Sequence, residues 1–303
     1  MSGHAAPERV ELDESNPRTA LRSRVAEALQ ALPGYFRSAT NIEGILATDL
    51  FSLNTVLGAT IEVQVVATLN EMRDVWDPDD EWQTYRFERQ AQTFPDVRLV
   101  ARDREDIDIA LGVELKGWYL FAKEKEPSLR MVVTPDACAD HDLIAVVPWY
   151  LSNVLSGEPV AREPWVESAK YVAEYRNYWW KHVRKATTDT TIKSPATAHP
   201  YPVKADEVSD KPVSDSGSNF GRLARAGLME GYLEEHRKAE VAGIAAEHWI
   251  GFFKLYSDSS DHEAVSQRLE RDYAKAVKKA GASADADRAV ELLKELAELM
   301  RSS

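Results

Sequence analysis

Phe94-Pro95-Asp96-Val97-Arg98-Leu99-Val100-Ala101-Arg102 is separated by Asp103-Arg104-Glu105-Asp106 from Ile107-Asp108-Ile109-Ala110-Leu111-Gly112-Val113-Glu114-Leu115-Lys116, and this stretch decides how the chain is read. In its second half Ile107, Ile109, Leu111, Val113 and Leu115 alternate with Asp108, Ala110, Gly112, Glu114 and Lys116, the two-residue period of a half-buried strand. Glu114 and Lys116 therefore share one face. With residues 103–106 as a hairpin turn, residues whose numbers sum to about 210 stand opposite each other on antiparallel strands. This register sets Val97 against Val113, Leu99 against Leu111 and Ala101 against Ile109 on the apolar face. It also sets Arg102 against Asp108 as opposite charges, and Asp96 against Glu114. Asp108 is six residues from Glu114 on the same strand, roughly 20 Å at about 3.3 Å per residue, too far to share one cation with it.

An aspartate and a glutamate on adjacent strands, with a lysine one strand period away, are the groups that metal-dependent phosphodiester hydrolysis needs. A divalent cation polarises the phosphoryl oxygen and acidifies the attacking water. Mg²⁺ takes hard oxygen ligands and keeps several waters, so one or two carboxylates suffice. The lysine orients or deprotonates the water, or stabilises the pentacovalent phosphate. Glu114-Leu115-Lys116 is the only Asp/Glu-x-Lys triplet in the 303 residues, whereas Pro-Asp recurs at Pro78-Asp79 and Pro135-Asp136. The hairpin register is what separates this reading from a surface hairpin of solvated charges. A third acid comes from a helix expected over 54–75, where Ile61, Val65, Val66, Leu69 and Met72 form a buried stripe that contains Glu62. A carboxylate in such a stripe is either satisfied by an arginine or a backbone donor, or serves as an auxiliary ligand to metal or water.

A helix bearing an acid, followed by a hairpin reading Pro-Asp-x17-Glu-x-Lys, resembles the PD-(D/E)XK superfamily, the restriction-endonuclease-like nucleases, over about residues 54–185. The resemblance implies an α/β (α+β) fold with a mixed central sheet flanked by helices, and a C-terminal helical region follows it. It implies Mg²⁺-dependent hydrolysis of double-stranded DNA, with Asp96, Glu114 and Lys116 catalytic and Glu62 as the helix acid. Asp96, Glu114 and Glu62 become the expected metal ligands. A type II restriction or defence endonuclease is the leading expectation. The alternatives are a repair or mobile-element nuclease, and a non-catalytic DNA-binding or regulatory protein on the same fold.

Bulk properties narrow the field. No apolar run reaches the eighteen or so residues of a membrane span, and residues 1–16 lack a secretory apolar segment, so a cytoplasmic protein is expected. Cys138 is the only cysteine and the seven histidines are scattered, which excludes an intrachain disulfide and argues against a zinc site. The formal charge of −13 argues against indiscriminate binding of polyanions. Residues 170–204 reverse this locally, with seven Lys/Arg against Glu174 and Asp189. Among them the aromatics Tyr171, Tyr175, Tyr178, Trp179 and Trp180 interleave. This strip reads as a confined DNA groove, or as a helix whose aromatics pack inward while its cations stay solvated. Candidate DNA contacts are Arg176, Asn177, Lys181, Arg184, Lys185, Lys193, Asn219 and Arg222.

The chain divides into an N-terminal arm and helix (1–40), a nuclease core (41–185), a Thr/Ser/Pro-rich loop (186–218) and a helical tail (219–303). Helices are expected over 18–32, closed by Pro33-Gly34, near 41–50, and over 164–185, 220–256 and 261–302. Strands are expected at 84–91, 96–102, 107–118, 129–134 and 142–147. The tail carries more apolar residues than a lone helical hairpin can hide. It is therefore expected either to pack on the core or to join two copies in a homodimer, the commonest symmetric assembly.

Overall fold

A 6-stranded mixed sheet forms the centre of the molecule, with β1 (Tyr85–Arg89), β2 (Val97–Arg102), β3 (Ile107–Tyr119), β4 (Leu143–Leu151) and β5 (Pro159–Ala161) in sequential order and β6 (Trp165–Ser168) also paired with β4. The structure is a computed structural model. It describes residues 4–258 other than 46–48, 50–51, 91, 103–106 and 218, together with Glu263, Gln267 and Arg271. The expected hairpin turn and the helix over 261–302 lie essentially outside the described residues.

The hairpin register holds over its first half. Val97 faces Val113 and Leu99 faces Leu111, as the alternation requires. The pairing then shifts by one residue, because Ala110 is an extra residue on β3 and Val100 pairs with Ile109. Ala101 consequently faces Asp108, and Arg102 faces Ile107, which corrects both pairings expected there. A bulge of this kind re-aims the side chains beyond it. Arg102 turns to Glu88 on the neighbouring strand at 2.5 Å. Asp108 turns to Arg18 at 2.9 Å and to the Tyr85 hydroxyl.

β4 runs parallel to β3, and eight of its nine residues are buried. That burial pattern marks a strand covered on both faces. Its far edge is shared, β6 pairing with Leu143–Val146 and β5 with Trp149–Leu151. Pro148 sits in the gap between the two partners, where its missing N–H disrupts no ladder on that side. The connection from β3 to β4 carries only a 3₁₀ turn at Pro135–Ala137. The strand expected at 129–134 is reduced to isolated bridges, Arg130 to Arg222 and Val133 to Ser209 of the long loop.

Helices flank the sheet. α1 (Pro17–Tyr35) is capped by the Asn16 side chain and continues through Pro33, which the sequence marked as its stop. Proline in the last turn removes one helix bond, yet Phe36 still donates to Leu32 O at 2.8 Å. α2 (Leu53–Glu71) packs against β1 and β3, and the single turn α3 (Arg73–Trp76) packs against α1. Residues 41–45 form no helix, Ile42 making a single bridge to Gly157 and Ile45 N donating to Leu155 O. α4 (Ala169–Tyr178) starts five residues later than expected, because 165–168 belong to β6, and it runs on as a π turn through Val183. The 220–256 helix is broken into a 3₁₀ turn, α5 (Glu230–Lys238), a two-residue hairpin and α6 (Ala246–Asp258).

One contiguous apolar core takes in residues of α1, α2, the sheet, α4, α5 and α6. The described part of the tail packs on this core, Phe253 lying edge-on to Phe121 at 5.9 Å and stacked on Trp249 at 5.6 Å. No helix among the described residues is long and apolar enough to cross a membrane.

Candidate active site

Asp96 immediately precedes β2, and Glu114 lies on β3 in the undistorted half of the hairpin. Extending the Val97–Val113 pairing by one residue sets them opposite each other. Their side chains cross. Asp96 N donates to Glu114 Oε2 at 3.2 Å, and Leu115 N donates to Asp96 Oδ2 at 3.3 Å. Each carboxylate thus rests on the backbone of the other's strand. The Asp96 carbonyl also accepts from Gln90 N at 2.6 Å, which ties the same point to the end of β1.

The backbone before Asp96 is equally fixed. Phe94-Pro95 is a cis peptide, and the Pro95 ring lies directly on Gly112, where an added Cβ would overlap the ring. Gly112 N donates to the buried Asp142 carboxylate at 2.7 Å, which also accepts from Ala139 N at 2.9 Å and the Tyr201 hydroxyl at 3.0 Å. Arg98 donates to Phe94 O at 2.9 Å.

Lys116, one strand period beyond Glu114, places Nζ 3.5 Å from Glu62 Oε1. Glu62 Oε2 is 3.4 Å from Arg89 NH2, and the Glu62 side chain is only 13% exposed. Glu62 is therefore satisfied by two cations, one of which the sequence did not single out. It stays near enough for its charge to be felt at Asp96.

Electrostatics distinguishes the crossed pair from ordinary surface acids. Burial first, and Glu62's charge second, push the Asp96 carboxyl up to about 6. Burial and then repulsion from Asp96 push Glu114 up to about 8. Neither carboxylate makes an ion pair among the described residues, and Lys116 only partly offsets the penalty. A desolvated oxygen-only donor set with excess negative charge is what a hard divalent cation suits. Among the described residues no three Asp, Glu, His or Cys side chains converge as a ready metal group. The fit to Mg²⁺ accordingly rests on Asp96 and Glu114, with Glu62 engaged by Lys116 and Arg89.

The expected DNA contacts fare unevenly. Arg176 is 2% exposed, bonds the carbonyls of Met131 and Val133 at 2.6 and 2.9 Å, and pairs with buried Asp210. It is a strut between α4 and the long loop and corrects the surface role expected for it. Asn177 completes the same network, donating to Asp210 at 3.0 Å. Arg222 pairs with Glu126 at 2.7 Å, and Asn219 accepts from Arg130 at 2.6 Å. Arg184 lies over the Trp180 ring at 3.4 Å. Lys181, Lys185 and Lys193 are exposed. Tyr171, Tyr175 and Tyr178 form a half-buried ladder along α4, while Trp180 is buried edge-on against Phe220. The N-terminal arm lies along that helix, Arg9 over Tyr171 and paired with Glu167, His4 stacked on His182.

Sequence reasoning passed over Arg89, Arg98, Asp142 and Tyr201. Arg89 could have been found by extending the antiparallel count to the preceding strand, which sets it against Val97, next to Asp96. No family model, curated protein or solved structure matches this chain.

Proposed function

We propose that this protein is a Mg²⁺-dependent endodeoxyribonuclease, built on a restriction-endonuclease-like core and acting in restriction or another defence role. The observation that carries the reading is the crossed Asp96–Glu114 pair, desolvated and without an ion-pair partner among the described residues, with Lys116 on the strand of Glu114. Asp96 and Glu114 would hold the metal ion, whose chemistry when bound is to polarise a phosphoryl oxygen and acidify the attacking water. Glu62, itself paired with Arg89, pairs with Lys116 and so restrains its ammonium on the face that Glu114 shares. From there Lys116 orients the water and stabilises the charge that builds on the phosphate oxygens. Lys181, Lys185 and Lys193 supply phosphate contacts that carry no sequence information. Two copies related by a two-fold axis would cut both strands.

Incubating the protein with plasmid and Mg²⁺ tests this. Cleavage is expected for wild type, with losses of at least about 10²-fold in Lys116→Ala and complete loss in Glu114→Ala. Discrete bands identify a sequence-reading enzyme, and a smear identifies a structure-directed one. A wild type that binds duplex DNA but never cuts it, across Mg²⁺ and Mn²⁺, replaces the nuclease with a binding protein. A single-copy elution volume at micromolar concentration removes the dimer.

A further inference from the structure

The segment Tyr201-Pro202 belongs to the long 186–218 loop, yet it is fastened to the strand that begins just after Asp96. Arg98 NH2 donates both to Phe94 O, at 2.9 Å, and to Pro202 O, at 2.9 Å. Its guanidinium also lies 5.6 Å from the centre of the Tyr201 ring. The Tyr201 hydroxyl reaches Asp142, which holds Gly112 N, and Gly112 is the residue against which Pro95 packs. The Pro95-Asp96 turn is thus gripped from two directions, and both grips end on adjacent residues of one loop.

We infer that Arg98 is a positioning residue that couples this loop to the metal-holding carboxylates, so that the state of residues 199–206 sets how well Asp96 is aligned with Glu114. The inference rests on the nuclease reading. The loop and the segments beside it also carry exposed lysines, among them Lys193 and Lys204, which DNA phosphates would engage. Engagement of the loop by DNA would firm the Arg98 bridge and tighten the cation site further when substrate is present. Coupling between two sites is reciprocal, so a cation at the carboxylates must in turn steady the loop.

Two readouts test this in the full-length protein. Calorimetric titration with Mn²⁺ measures cation affinity, and limited trypsin digestion measures cutting after Lys204. In wild type, Mn²⁺ is expected to slow cutting at Lys204. In Arg98→Gln the affinity for Mn²⁺ is expected to fall about tenfold or more, Mn²⁺ is expected to lose its protection of Lys204, and plasmid cleavage is expected to fall in kcat rather than in KM. Arg98→Lys, which keeps the charge and a single donor nitrogen in place of the guanidinium fork, should recover part of each loss. Tyr201→Phe leaves both Arg98 bonds in place, so it should show a smaller drop, and it keeps the test open if Arg98→Gln fails to fold. Arg98→Gln with wild-type Mn²⁺ affinity and faster cutting at Lys204 would show that Arg98 merely anchors the loop and would overturn the coupling alone. A wild type that neither binds the cation nor cuts DNA would instead remove the nuclease reading, and the coupling with it.

Discussion

Replacing Glu114 by Gln should change how stability depends on pH in the metal-free protein, and the direction follows from the crossed carboxylates. In the folded protein Glu114 is pushed up to about 8 and Asp96 to about 6, by burial first in both cases. In the unfolded chain both titrate near about 4. Between those limits the folded state holds more protons than the unfolded state, so stability falls as pH rises. The contribution is intact below roughly pH 4 and is lost progressively as pH climbs through the folded values. Each retained proton corresponds to about 1.4 kcal/mol per pH unit. From about pH 6 to 8 Glu114 alone retains most of one proton, so wild type should lose on the order of 2 kcal/mol that Glu114→Gln keeps. Urea unfolding followed by tryptophan fluorescence in EDTA-containing buffers measures both proteins, and their difference cancels the titrating groups that do not interact with Glu114, leaving Glu114 and its effect on Asp96. The gap should widen in favour of the glutamine variant toward alkaline pH, and adding Mg²⁺ should narrow it by stabilising only wild type. A gap independent of pH, or one that widens toward acid, would refute the claim that Glu114 sits in a desolvated, repelled environment.

Three further outcomes follow from other parts of the fold. Arg176→Ala leaves Asp210 buried and two carbonyls without their donor, so it should destabilise the protein by about 3–5 kcal/mol in urea titrations. Lys181→Ala/Lys185→Ala should leave stability unchanged while lowering the slope of log affinity against log salt for duplex DNA by about 0.9 for each phosphate that is no longer neutralised. Gly112→Ala forces its new methyl into the Pro95 ring, so it should cost about 1–3 kcal/mol of stability and weaken cation binding, read together by thermal unfolding with and without Mg²⁺.

The hairpin was legible because alternating Ile, Leu and Val on one strand and Val and Leu on the other permit only one register for Val97 and Leu99. The bulge at Ala110 was not legible, since a small apolar residue in an apolar run carries no signal of being the extra one. What decided it lies elsewhere in the chain. Glu88 supplies a partner for Arg102, and Arg18 and Tyr85 supply partners for Asp108. The same holds at residues 165–168, where Trp165-Val166-Glu167-Ser168 reads equally well as the first turn of a helix. Pairing with the start of β4 claims them as strand, and Ser168 then caps the helix through a bond from Tyr171 N. Asp96, Glu114 and Lys116 could be placed because they lie on one hairpin. Arg98, Asp142 and Tyr201 could not, because their contacts join residues up to 104 positions apart in the chain. Arg176 misled because a cation among aromatics looks the same in sequence whether it faces solvent or an aspartate 34 residues later.

The N-terminal helix bears on how small this protein can be made. Leu21, Val25, Ala28, Leu29 and Leu32 are wholly shielded, and the helix that carries them meets α2, α3 and strands β3 to β6. A shortened version beginning near residue 41, chosen because the motif residues all lie downstream, would strip a wall from the sheet and lay bare the flank of its central strand. Trimming for crystallisation or for fusion to another protein should therefore start no later than Asn16, whose side chain closes the first turn of that helix.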